Sequence, residues 1–100
     1  MGKKDCPVEH TANLIGGKWT LLILRDLLNG TKRFGELRAS LTGISPKTLT
    51  EKLRTLEQEG IIERKIYPEV PPRVEYSLTK RGQTLSPIFE AMREWGTRRA

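Results

Sequence analysis

The chain has 100 residues, a length that suits one domain with a single modest core. Its net charge of +6 suits a polyanionic partner. The longest apolar run, Leu21 to Leu24, is far shorter than the roughly 20 residues of a membrane span, and no secretory signal follows the N-terminus. A single cysteine excludes an intramolecular disulfide. These features predict a cytoplasmic protein with one domain, residues 1–100, and no membrane partner.

Two helices are predicted in the N-terminal third of the chain. The first begins at Pro7, because proline is favoured at an early helical position, and ends at Gly16–Gly17. The second runs from Lys18 to Leu28 and is apolar nearly all round, which predicts a place in the middle of the core. Asn29–Gly30 ends this helix, and Thr31 to Phe34 is predicted to be a short extended piece.

Two further helices joined by a turn come next. A third helix is predicted from about Phe34 to Ser40, because apolar residues recur there at helical spacing. After a turn at residues 42–44, Ser45 supplies a hydroxyl cap and Pro46 the first position of a fourth helix, which Gly60 ends. The buried face of the fourth helix is predicted from its leucine stripe: Leu49, Leu53 and Leu56.

The pattern changes to a period of two after Gly60. Residues 62–67 and 73–78 alternate in this way, and the proline-rich stretch between them cannot pair regularly, so a β-hairpin is predicted. Thr79 can cap a final helix, which Pro87 is expected to bend or restart. The apolar stripe of that helix is Leu85, Ile88, Phe89, Met92 and Trp95. The fold class is therefore mainly α with a small β-hairpin, a winged helix-turn-helix.

In such a fold the fourth helix enters the major groove of DNA, with its N-terminal residues at the base edges. If its leucines face the core, Lys47, Glu51 and Arg54 lie on the opposite face. Ser45 and Thr48 lie at the exposed N-terminal end, where the helix dipole favours phosphate. These side chains suit contacts with phosphate and with base edges. The alternative is that all five are ordinary solvent-facing residues.

The predicted hairpin offers two more candidates for DNA contact. Lys65 lies on its first strand and Arg73 beside its tip, so that either could follow phosphate or enter an adjacent minor groove. Arg73 is the only basic residue at this tip. Wing contact therefore depends on these two side chains.

The sequence offers no set of residues for catalysis or metal binding. It has one histidine, no Gly-rich phosphate loop and no paired carboxylates in a plausible cleft. Cys6 and His10 are two ligands where a structural zinc site needs four. We therefore expect no enzyme, no cofactor and no metal. The alternative to a DNA-binding regulator is a winged-helix module that makes protein–protein contacts, since this fold is not restricted to one function.

Segments between Cys6 and Gly96 together resemble the HxlR family of bacterial transcriptional regulators. They are Cys6-Pro7-Val8, Gly16-Gly17-Lys18-Trp19, Phe34-Gly35-Glu36-Leu37, Gly43-Ile44-Ser45-Pro46-Lys47, Leu49-Thr50, Pro71-Pro72-Arg73-Val74-Glu75-Tyr76-Ser77-Leu78-Thr79 and Trp95-Gly96. Their order and spacing together are specific to the family, although each segment alone is a weak indication of it. The resemblance, over residues 6–96, implies a MarR-like winged-helix homodimer that binds pseudo-palindromic promoter DNA.

The terminal helices are predicted to form the dimer interface. A fold this small can hardly cover the apolar stripes of both its first and its last helix with its own core. Leu85 and Ile88 are expected to complete the core of the monomer. The residues assigned to the two-fold interface, in line with the resemblance, are Val8, Ala12, Met92 and Trp95.

Cys6 is the one residue with a candidate redox role. It precedes Pro7 and can cap the first helix, a position at which a thiolate is stabilised. From the residues alone, an inert cysteine at the dimer interface is the favoured interpretation. The resemblance implies more, because several members of the HxlR family use a cysteine at this position to sense oxidants or electrophiles. On this interpretation, oxidation or alkylation of Cys6, or an intersubunit disulfide, would change the spacing of the two DNA-reading helices.

Overall fold

The computed structural model of the chain describes residues 6–99, with the backbone alone for Arg99. The helices are α1 (Pro7–Ile15), α2 (Lys18–Leu28), α3 (Phe34–Ser40), α4 (Pro46–Gln58), α5 (Lys80–Gln83) and α6 (Ser86–Arg99). The strands are β1 (Lys32–Arg33), β2 (Ile62–Tyr67) and β3 (Arg73–Leu78). The predicted positions of the first four helices and of the hairpin strands are confirmed.

The sheet extends beyond the predicted hairpin by one short strand. β2 and β3 pair antiparallel with Ile62 opposite Leu78, and β1 pairs antiparallel with the other edge of β3, so the strand order is β1-β3-β2. The segment predicted to be extended at 31–34 thus supplies β1, where Lys32 lies opposite Tyr76. This pairing positions α3, which follows β1 directly, beside the base of the hairpin.

The core is formed mainly by leucine and isoleucine side chains, of which α2 and α4 contribute three each. Ile23 and Leu24 of α2 are fully buried, as expected of a central helix. The prediction for α2 holds only in part, because Leu21 and Leu22 are half-buried and lie along grooves that contain Met92 of α6. One side of α2 therefore remains partly uncovered by the rest of residues 6–99.

Both ends of α4 have the hydrogen bonds that their sequences predict. Ser45 caps the first turn, and its Oγ accepts a hydrogen bond from the Thr48 N–H at 3.0 Å. At the other end, Gly60 adopts a left-handed conformation with φ of 75°. Its N–H donates to the Glu57 carbonyl and the Ile61 N–H to the Leu56 carbonyl, which is a Schellman motif. The chain leaves α4 directly into β2.

Thr79 caps a separate short helix, α5, rather than the final helix. Its Oγ1 accepts from the Gly82 N–H, and its hydroxyl donates to the Gly60 carbonyl at 2.6 Å. Its backbone N–H donates to the Ile61 carbonyl at 3.0 Å. α6 begins anew at Ser86 with Pro87 in its first turn, which is the restart that the proline predicts. The two ends of the hairpin are therefore hydrogen-bonded to each other at its base.

The expectation for Ile88 is wrong, because the restart at Ser86 changes the orientation of the apolar stripe. Leu85 is buried as expected, but Ile88 is 37 % exposed and Phe89 takes its place in the core. Across residues 6–99, every helix is too short or too polar to cross a bilayer.

Candidate nucleic-acid interface

We term α4 the reading helix, and its exposed face has the predicted composition. Leu49 and Leu53 are buried in the core, and Leu56 is buried one turn further on. On the opposite face Lys47 and Arg54 are exposed, with Glu51 between them. The helix thus presents two cations and one carboxylate to solvent along about two turns.

The N-terminus of the reading helix has a directional pair of hydroxyls. Ser45 Oγ accepts from the Thr48 N–H and donates to Thr48 Oγ1, both at 3.0 Å. One hydroxyl hydrogen of this pair is therefore used within the cap, and the other is left to donate elsewhere. Within residues 6–99, the Lys47 N–H has no hydrogen-bond partner. This end therefore offers an N–H, a hydroxyl and an ammonium to an anion.

The hairpin places Lys65 and Arg73 on one face, and both side chains lie near the ring of Tyr67. The Arg73 guanidinium carbon lies 4.0 Å from the centroid of the Tyr67 ring, and the Lys65 Nζ lies 5.3 Å from it. Arg73 is also within 3.4 Å of a carboxylate oxygen of both Glu69 and Glu75, and its side chain is only 28 % exposed. The two predicted wing cations thus differ, since Lys65 is exposed and Arg73 is already paired.

Arg64 is a basic residue near the reading helix that the sequence patterns did not identify. Its Nε lies 3.8 Å from a carboxylate oxygen of Glu57, which joins β2 to the end of α4. Burial raises the pKa of Tyr76 on the adjacent strand, whereas the positive charges of Arg64 and Arg54 lower it. The strand alternation places Arg64 on the same face as Ile62, which faces the core. For that reason the sequence pattern did not indicate Arg64 as a residue near the reading helix.

The predicted interface residues Val8, Ala12 and Met92 come together at one groove. This groove has a volume of about 470 Å³ and runs between α1, α2 and α6, with Leu21 and Ile15 at its base. Val8 is 78 % exposed and Met92 is 46 % exposed. Trp95, one turn beyond Met92 on α6, is 64 % exposed but does not line the groove. The groove and Trp95 thus leave apolar side chains of the terminal helices exposed in the described chain.

Cys6 occupies the predicted position at the start of α1. Its Sγ accepts a hydrogen bond from the Glu9 N–H at 3.5 Å, and the residue is half-buried. His10 is joined to Cys6 through its backbone N–H, which donates to the Cys6 carbonyl at 3.0 Å. In residues 6–99, no three His, Cys, Asp or Glu side chains lie together as metal ligands would. Lys3 and Lys4, which add positive charge near Cys6 in the sequence, and Asp5, which opposes it, lie outside the described residues.

The chain is similar in sequence and in structure to known regulators. The model of the HxlR-like helix-turn-helix family matches residues 14–100. An uncharacterised HTH-type transcriptional regulator of Synechocystis sp., sll1512, is 51 % identical over 92 residues, which cover 92 % of this chain and 68 % of that protein. The oxidised form of the redox regulator HypR has a TM-score of 0.88 at 48 % identity, covering 93 % of this chain and 96 % of that one. The reduced form of HypR has a TM-score of 0.89 at 47 % identity, covering 93 % and 92 % of the two chains.

The exposed basic helix, the turn before it and the hairpin after it define the protein as a winged helix-turn-helix regulator of the MarR-like class. Most of its length matches one family model, and its relatives are named as HTH-type transcriptional regulators. The chain belongs to the HxlR-like helix-turn-helix family. The predicted family and the predicted class of DNA-binding regulator are therefore confirmed.

Proposed function

We propose that the protein acts as a homodimer that binds a pseudo-palindromic site in double-stranded promoter DNA. The observation that carries this proposal is the orientation of the reading helix, which buries its leucines and exposes its polar side chains. In the proposal, each subunit places one reading helix in the major groove of one half-site, about 34–36 Å from its twin. The contacting residues are Ser45, Lys47, Thr48, Glu51 and Arg54, with Lys65 and Arg73 on the wing.

The individual contacts follow from the chemistry of the exposed groups. Lys47, its backbone N–H and the Thr48 hydroxyl converge at the helix N-terminus and suit a phosphate. Arg54 lies two turns further along the same face and can donate to guanine, while Glu51 can accept from cytosine N4. Ser45 lies at the same end, where its hydroxyl caps the first turn and suits contact with the same phosphate. Lys65 suits the phosphate backbone beside the groove.

The apolar groove supports the two-fold interface. Monomeric proteins seldom expose contiguous apolar surfaces of more than a few hundred Å². Val8, Met92 and Trp95 are all exposed on the same terminal helices, and Ala12 lines the groove between them. A second copy of the chain that contributes the same helices would cover this surface isologously.

Cys6 is proposed as the site at which an oxidant or electrophile acts on the regulator. Its Sγ lies half-buried at the start of α1 and accepts a hydrogen bond from the Glu9 N–H. α1 also lines the groove assigned to the dimer interface, so a change at Cys6 reaches the contact that sets the distance between reading helices. Two structures of the redox regulator HypR, oxidised and reduced, resemble this chain over more than nine-tenths of its length.

The deciding experiment is the selection of bound sequences from random DNA, followed by affinity measurements on the selected duplex at several salt concentrations. We expect a pseudo-palindromic consensus and an affinity that falls steeply with added salt. Lys47→Ala should weaken binding and flatten the salt dependence. Arg98→Ala on α6 removes an equal charge outside the proposed DNA interface and should change the DNA affinity little. A chain that selects no consensus and binds no duplex would instead fit the protein–protein module.

A further inference from the structure

The wing contains an arginine whose charge is balanced by the chain's own carboxylates. The Arg73 guanidinium carbon lies 4.0 Å from the centroid of the Tyr67 ring, with its Nη2 3.4 Å from Glu69 Oε2 and its Nε 3.4 Å from Glu75 Oε2. Lys65, near the other part of the same ring, has no ion pair within residues 6–99. The wing therefore carries one cation that is directly available and one that is not.

The two carboxylate contacts of Arg73 are loose. Charge-assisted hydrogen bonds between a guanidinium and a carboxylate are typically about 2.7–2.9 Å long, well below the distances seen here. The Arg73 Nε is buried and has no hydrogen bond in the described part of the chain, although Glu75 is near it. The Glu69 side chain is 51 % exposed, so water screens its pairing with Arg73. A phosphate that approached with good geometry would form a stronger pair than Glu69 does.

We propose that Glu69 occupies, in the free protein, the guanidinium edge of Arg73 that a DNA phosphate takes in the complex. This exchange rests on the proposed function. In it, Glu69 and a DNA phosphate compete for Arg73. Glu75 is more buried than Glu69, with 26 % of its side chain exposed, and lies in a paired strand. Glu75 and the Tyr67 ring hold the guanidinium in place while Glu69 is displaced. Glu69 thus weakens the wing contact with any duplex.

Glu69→Gln tests the exchange, because it removes the charge and keeps the shape of the side chain. The affinity for the selected duplex is measured by fluorescence anisotropy over a range of salt concentrations. Exposed ion pairs of this kind are weak, so we expect binding to tighten by about 1.5- to 5-fold for each wing that touches DNA. The salt dependence should become steeper, because a carboxylate beside phosphate opposes counterion release.

Glu63→Gln is the matched control. Glu63 lies on the same hairpin and has the Ser77 hydroxyl as its neighbour at 3.5 Å, with no ion pair to Arg73. The substitution removes the same charge, so it should give a clearly smaller gain. An equal gain from Glu63→Gln would show a general charge effect and would overturn the exchange.

A double-mutant cycle with Arg73→Gln completes the test. If Glu69 acts by occupying Arg73, Glu69→Gln has no effect in the Arg73→Gln background. Additive effects of the two substitutions would overturn the exchange. All three sites are at the surface, and equal melting temperatures of the variants establish that folding is not the cause.

The two proposals fail in different ways. A wild-type protein that selects a consensus through Lys47 but is unchanged by Glu69→Gln loses only the exchange. A wild-type protein that binds no duplex loses both.

Discussion

Substitutions at Ser45 separate the stability of the reading helix from its contact with DNA. Asparagine and aspartate both cap helices about as well as serine, so Ser45→Asn and Ser45→Asp each keep the hydrogen bond to the Thr48 N–H. Only aspartate adds a negative charge. A comparison of the two variants therefore isolates the effect of charge at this helix end.

The stability effects follow from the cap. Ser45→Ala leaves the Thr48 N–H without its acceptor and should lower the free energy of unfolding by about 1 kcal/mol. In a domain of this size that corresponds to a fall of about 4–8 °C in melting temperature. Ser45→Asn should melt close to wild type. Ser45→Asp should melt at or above it, because a carboxylate at a helix N-terminus contributes about 0.3–1 kcal/mol.

The effect on DNA affinity has the opposite order. If a phosphate lies about 6 Å from residue 45, a new carboxylate repels it by about 0.7 kcal/mol at the dielectric constant of water. At an effective dielectric constant of 20 the repulsion is about 2.8 kcal/mol. Ser45→Asp should therefore bind about 3- to 100-fold more weakly per half-site than Ser45→Asn.

Thermal melting followed by circular dichroism and binding followed by fluorescence anisotropy measure the two quantities separately. The difference between the aspartate and asparagine variants should shrink as salt is added, because repulsion between exposed charges is screened. If the two variants bind DNA equally well at low salt, the N-terminus of α4 does not face a phosphate. The proposed orientation of the reading helix would then be wrong.

Five further substitutions, two of them for comparison, test the packing, the dimer and the thiol. Gly82→Ala would place a Cβ 2.1 Å from the Ile61 carbonyl oxygen and should lower stability by about 3 kcal/mol in urea unfolding. Gly35→Ala meets nothing within 4 Å and should raise it by about 0.5–1 kcal/mol. In sedimentation velocity, Met92→Glu should convert a dimer to a monomer, whereas Glu94→Gln should not; a monomeric wild type would contradict the interface. Cys6→Ser should abolish any loss of DNA affinity caused by diamide, and equal sensitivity in both proteins would exclude the thiol as the sensor.

Features fixed by neighbouring residues were predictable from the sequence. Ser45 and Pro46 specify the start of α4 through a side-chain cap and a fixed φ, and both act within one helical turn. The leucine stripe then determines which face is exposed, since the helical period follows from backbone geometry. The exposed face of the reading helix was therefore predictable residue by residue, although its contacts with DNA remain a proposal.

Features that depend on distant residues were not predictable in this way. The close approach of Gly82 in α5 to the Ile61 carbonyl is a contact across 21 positions, which no local pattern contains. Ile88 was assigned to the core because the apolar stripe was continued across the bend or restart that Pro87 predicts. The pairing of Arg73 likewise depends on the conformation of the proline-rich turn that brings Glu69 to it.

The hydrogen bonds at the base of the hairpin have a consequence for protein engineering. Thr79 contacts the carbonyls of Gly60 and Ile61 at the point where β2 begins, so both ends of the hairpin are attached to the same short segment after α4. The tip, residues 68–72, projects from this fixed base and makes no contribution to the buried core. Residues 68–72 can thus be replaced without disturbing the core. Tips transplanted from relatives should therefore change the affinity for DNA, because they change the partner of Arg73, while the melting temperature of the scaffold stays the same.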